Sequence, residues 1–133
     1  TIPDARITSL TSTRIAIYKP VDITITTYDF DGTNWTQTGN ALTIVAGFAD
    51  IAGMTSSKIA LADTDSSELR DYDFDGTDWT VNDVISVNIS GTYGGVAKLE
   101  SDRVALISSG DDILESYILD SDFHQFAFYL IGS

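Results

Sequence analysis

Two stretches of this sequence, "YDFDGTNW" at 28–35 and "YDFDGTDW" at 72–79, gather the residue types best suited to chemistry. Each sets carboxylates at alternate positions ahead of a glycine: Asp29 and Asp31 before Gly32, Asp73 and Asp75 before Gly76, with Asp78 two residues further on. Calcium is held by oxygen ligands in such alternation, with Gly at the sharp bend, so a calcium site on these five aspartates is one expectation. A complete EF-type loop also needs a bidentate Glu six positions after the Gly, where this chain has Thr38 and Asn82. The residues favour a second expectation, a plain Asp-Gly hairpin turn, because Gly accepts the positive φ that a tight hairpin demands. A third version of the stretch carries Asp120 and Asp122 with no glycine after them, which argues against three equivalent metal sites.

Trp35 and Trp79 follow the two turns. There an indole can stack on a sugar ring or wedge one structural unit against the next, and the wedge is favoured. Arg14, Lys58 and Arg103 open three similar segments, "RIAI", "KIAL" and "RVAL". They could ring a channel mouth and hold an anion, or each could pair with an Asp of the adjacent unit, the favoured reading. The single histidine, His124, lies in the degenerate third stretch and completes the set of binding candidates. There is no cysteine, so disulfides and thiolate metal sites are excluded. No Gly-x-Ser-x-Gly or phosphate-loop pattern occurs, and no enzyme is expected. Glycoside hydrolysis by a carboxylate pair trails behind, since the chain is rich in acids.

Seven basic residues face twenty acidic ones in 133 residues, a net charge of −13. That field repels nucleic acid and anionic membrane and suits cations, cationic surfaces or neutral glycans; adaptation to salt would leave the same mark. No apolar run approaches the ~20 residues of a membrane-spanning helix, so insertion is not expected. The length fits one domain with its own core. No basic-then-apolar leader opens the sequence, and Thr1 is compatible with a processed or excised chain.

The elements that position these residues recur. "LTSTRIAIYKP" from Leu10, "MTSSKIALADT" from Met54 and "LESDRVALISS" from Leu99 are spaced by 44 and 45 residues, and a Tyr follows each start by 18, at Tyr28, Tyr72 and Tyr117. The expected units are 10–53, 54–98 and 99–133, the last completed by residues 1–9, whose "TIPDARITS" resembles the other unit endings. Thr, Ile and Val are abundant and no 3.6-residue apolar stripe appears, so every unit reads as β. The first unit is expected to hold strand a at 14–18, b at 23–30, c at 34–45 and d at 48–54. The second repeats them near 58–62, 68–74, 78–89 and 93–99. The third has a at 103–107, b at 113–119 and c at 123–131, and would take d from residues 2–10.

Three four-stranded units fit a β-trefoil monomer or β-propeller blades. Blades are favoured: Ala16, Ala60 and Ala105 suit a crowded innermost strand a, and strand b is apolar on both faces, as in a sheet with neighbours on each side. Three blades do not close a ring, so a six-bladed homodimer is expected, each junction latched by exchange of the N-terminal strand.

The residues "SKIALADTDSSELRDYDFDGTDW" and "YDFDGTNWTQTGNALTI" resemble a family of bacterial and phage β-propeller repeats, over the whole of the first two units and half of the third. The resemblance implies surface recognition or adhesion in general. The functional expectation is therefore a non-enzymatic module that binds a glycan or protein through rim loops at an extracellular or virion surface. The alternative is a structural scaffold, with or without bound calcium.

Overall fold

A computed structural model describes residues 5–44, 49–63, 65–87, 94–108, 113–119 and 126–130. It is all-β, with three antiparallel four-stranded sheets. The first runs β1 (Arg6–Thr11), β2 (Arg14–Lys19), β3 (Thr24–Phe30) and β4 (Trp35–Thr43) in order. The second runs β5 (Ala49–Thr55), β6 (Lys58–Asp63), β7 (Glu68–Phe74) and β8 (Trp79–Ser86). The third runs β9 (Gly94–Glu100), β10 (Arg103–Ser108), β11 (Ile113–Ile118) and β12 (Phe126–Leu130). Among the described residues no helix is long and apolar enough to cross a membrane.

This topology shifts the expected unit boundaries. Each sheet is built from four consecutive strands, so the strand expected to end a unit instead opens the next sheet. Residues 6–11 pair with β2 of their own chain, Ile7 opposite Ile17 and Thr8 opposite Ala16, and the third sheet has four strands without them. The physical reason is the short d-to-a link. Thr11 faces Arg14, Thr55 faces Lys58 and Glu100 faces Arg103, each across a two-residue turn beside a register shift. Such a turn makes the hairpin partner the nearest available strand. An exchanged N-terminal strand therefore has no gap to fill in the third sheet. The trefoil alternative also fails on topology, since every described strand pairs inside one of the three four-stranded sheets and none pairs between sheets.

The strands at which the sheets meet are consequently not strand a but the strand that precedes it. Contacts between sheets concentrate at β1, β5 and β9 and dwindle outward, with β4 and β8 touching only weakly. Where these first strands meet, the Gly53 N–H donates to Thr8 Oγ1 at 2.7 Å and the Val96 N–H to Asp50 Oδ2 at 3.0 Å. A Cβ on Gly53 would lie 2.0 Å from the Ser9 carbonyl oxygen, so β1 and β5 approach this closely only because residue 53 has none. At the far edge, β4 reads "WTQTGNALT" and is largely polar and exposed, which suits a strand whose outer backbone groups face water.

Period-two alternation gives every sheet two faces. The forward face of the first sheet (Ala16, Tyr18, Ile25) packs on the rear face of the second (Ile59, Leu61, Tyr72, Phe74). The forward face of the second (Met54, Ala60, Ala62, Leu69) packs on the rear face of the third (Val104, Leu106, Tyr117). Most of these side chains are fully buried, and each large aliphatic one contributes about 1.5–3 kcal/mol by leaving water. Ala16 and Ala60 thus make room for the facing sheet's side chains.

Candidate functional site

The two Asp-Gly stretches form the hairpin tips between β3 and β4 and between β7 and β8. Gly32 and Gly76 adopt φ of 101° and 104°, with open space where a Cβ would stand. Asp31 Oδ1 accepts the N–H groups of Thr33 and Asn34, both at 2.8 Å, and Asp75 Oδ1 does the same for Thr77 and Asp78. Those backbone donors, Asn34 then Thr33 in one tip and Asp78 then Thr77 in the other, hold both carboxyls below the usual range.

The remaining aspartates are engaged as well. Arg14 grips Asp29 with two hydrogen bonds, Nε to Oδ1 at 2.6 Å and Nη2 to Oδ2 at 2.8 Å, and Thr38 Oγ1 adds a third at 2.8 Å. Arg14 first, then Thr38 against the cost of burial, keep the Asp29 carboxyl low. Asp73 lies 3.5 Å from the Lys58 ammonium, which is also 3.1 Å from Asp71. Burial opposes the charge on Lys58, but the hydrogen bond and charge of Asp71, with Asp73 behind them, raise its pKa. Asp78 Oδ1 accepts from Asn40 Nδ2 at 2.8 Å. Among the described residues no cluster of three or more His, Asp or Glu is placed to hold a metal ion; the five aspartates are divided between two tips and among turn, cation and amide partners.

The basic series behaves differently from either expectation. Arg14 and Lys58 pair with acids of their own sheets, because β2 and β6 lie beside β3 and β7 and set Arg14 opposite Asp29 and Lys58 opposite Asp73. Toward the neighbouring sheet Arg14 instead covers the Phe74 ring, 5.7 Å from its centroid. Arg103 is exposed and faces Ile118 where the other sheets have Asp29 and Asp73.

The tryptophans separate most sharply. Trp79 is 6% exposed, stacks on Phe74 with ring centroids 4.8 Å apart, and donates Nε1–H to Thr27 Oγ1 of the first sheet at 2.9 Å. Its tip is docked into β4 by the Asn40 N–H to the Thr77 carbonyl at 2.7 Å. Gly39 permits this, since a Cβ there would meet the same oxygen at 2.5 Å. Trp35 keeps the same intra-tip packing on Phe30, at 5.0 Å, yet is 48% exposed.

His124 lies outside the described residues. Counted back from Phe126, which faces Tyr117 as Val81 faces Tyr72, it takes the sequence position of Trp35 and Trp79. Sequence reasoning missed Thr27, Gly39 and Asn40, the receptor of the second tip. Thr27 becomes Asp71 and Ser116 in the other sheets, so no repeating residue marks it. Neither the protein-family models nor the curated proteins include a match to this chain.

Proposed function

We propose that this chain is a non-enzymatic, blade-forming scaffold of the β-propeller type, whose Asp-Gly-x-x-Trp corners serve construction. The observation that supports this reading best is the second tip, where every group able to do chemistry has an internal task. Asp75 ties the turn, Asp78 and Thr77 hold β4, and Trp79 fills the space between two sheets. Sheets that touch at their first strands and spread outward also suit blades around an axis, and propellers of four to eight blades are the usual range. Calcium is not required by this reading, because the turn aspartates already have donors.

A second reading, recognition of a glycan or protein at a cell or virion surface, is favoured by Trp35 alone. A half-exposed indole braced by Phe30 at a hairpin tip offers a flat surface for the C–H face of a sugar. A glycan array with the wild-type chain and Trp35→Ala separates the two. Silence across a broad panel is expected; saturable binding lost in Trp35→Ala would establish recognition and remove the scaffold-only reading. A melting temperature unmoved by calcium or a chelator is expected, and a chelator-sensitive one would restore the metal.

A further inference from the structure

The stack has two ends, and they are uncovered in complementary ways. The rear face of the first sheet carries Ile7, Ile15, Ile17, Tyr28, Phe30 and Trp35, the register counterparts of Ile51, Ile59, Leu61, Tyr72, Phe74 and Trp79 in the second. The second-sheet residues are all buried against the first sheet; among the described residues no sheet lies behind their counterparts, and Ile7 is 65% exposed. At the other end, the forward face of the third sheet carries Ala97, Leu99, Ala105, Ile107 and Leu114. Their counterparts Ala52, Met54, Ala60, Ala62 and Leu69 are buried, whereas Leu99 is 53% and Ile107 41% exposed.

We propose that these two faces dock on each other between two copies of this chain, the rear face of the first sheet of one copy against the forward face of the third sheet of the other. The inference rests on the scaffold reading and names its partner. The occupant is specified by the interface already repeated twice within the chain: a rear face of this composition sits on a forward face of this composition at both internal junctions. The polar partners carry over too. Trp79 donates to the hydroxyl of Thr27, and the counterparts at the open ends are Trp35 and Ser116, again an indole N–H and a hydroxyl. Arg14 covers the ring of Phe74, and the counterparts are Arg103 and Phe30. Arg103, which faces Ile118 where its two equivalents face Asp29 and Asp73, is thereby given a partner in the second copy.

The fit is also steric. On the forward face of the third sheet a largely apolar recess of about 270 Å³ is lined by Gly95, Ala97, Ala105, Ile107 and Leu114, with Asp50 of the second sheet at its wall. Gly95 is the counterpart of Asp50, which meets Val96 of the next sheet, and Ile7 is the counterpart of Val96. An isoleucine therefore arrives where the carboxylate is replaced by open space. Head-to-tail contacts either close a ring or run on as a filament. Chains of three blades reach the four-to-eight range of propellers with two copies, giving six.

Sedimentation equilibrium of the 133-residue chain tests this. A mass of twice 14.4 kDa is expected at micromolar concentration, strengthening with salt as the repulsion between two chains of charge −13 is screened. Ile7→Glu and Ile107→Glu, at opposite ends and both on exposed positions, should each give a monomer with an unchanged circular dichroism spectrum. Trp35→Ala provides a third check should either misfold. A monomeric wild type, or loss of the dimer from only one of the two ends, would overturn the docking, and a polymer would overturn its closure into a pair. A monomer with a silent glycan array removes the docking and leaves the scaffold; a dimer that binds a glycan does the reverse.

Discussion

The corners at 28–35 and 72–79 differ by one residue, Asn34 against Asp78, and share their turn geometry, their capping aspartate and their Phe–Trp stack. Their surroundings differ completely. The second is sealed against the first sheet, and among the described residues no sheet lies behind the first. Local sequence dictates the corner, while position in the stack decides whether its tryptophan is core or surface. An exposed aromatic in a repeat is therefore not by itself evidence of a binding site, since its equivalent one sheet on is core.

Substitution at the two tryptophans should split the pair most widely. Trp79→Ala removes a buried side chain together with its Phe74 stack and Thr27 hydrogen bond, and should cost about 3–5 kcal/mol in urea unfolding. Trp35→Ala, measured in the monomeric Ile7→Glu background, should cost about 0.5 kcal/mol or less. Equal losses would mean that the first corner is also packed, contrary to its exposure. Next in size is the receptor of the second tip. Gly39 has φ of +72° and a carbonyl 2.5 Å from its missing Cβ, so Gly39→Ala should cost about 1–3 kcal/mol from overpacking beyond the backbone strain. Thr27→Val keeps the shape but leaves the Trp79 N–H buried without an acceptor, a loss of about 1–3 kcal/mol. A neutral outcome for Thr27→Val would show that the wedge works by packing alone.

How far these features were legible follows from their range. The Asp-Gly turns, the strand positions to within a few residues and the three-fold repeat depend on neighbours in sequence, and they could be read. The phase of the sheets could not: "TIPDARITS" resembles both an ending and a beginning, and only the two-residue turn joining Thr11 to Arg14 makes it a beginning. That one shift placed the basic residues on the second strand of each sheet and left no gap in the third sheet for an exchanged strand. The expected wedge at Trp79 was visible as a repeating aromatic, but its exposed twin was not distinguishable from it, because exposure is set by a sheet that lies elsewhere in the chain. Thr27 and Gly39 escaped notice because a receptor need only fit its guest, and the guests differ from sheet to sheet.

Features belonging to the corner itself should respond alike at both ends of the comparison. Gly32→Ala and Gly76→Ala each place a side chain in open space at a positive φ, so each should cost about 1–2 kcal/mol of backbone strain, with no difference between the exposed and the docked tip. A much larger loss at Gly76 would mean that docking, and not the turn, sets its conformation.

The smallest effect concerns protons. Asp29, Asp31 and Asp75 are all held below their ordinary value of 3.8, so the folded chain binds these protons less readily than the unfolded one. Their contribution is complete above that value and is lost as pH falls through the lower folded values. For Asp31 and Asp75 the cause is the turn's own N–H groups, the same in both corners, so Asp31→Asn and Asp75→Asn should flatten the acid limb of the stability curve equally. For Asp29 the first cause is Arg14, and Arg14→Ala should remove its share while leaving the other two in place. If Arg14→Ala instead erased the whole acid dependence below pH 3.8, the capped turns would contribute nothing, and the likeness of the two corners would reside in their shape alone.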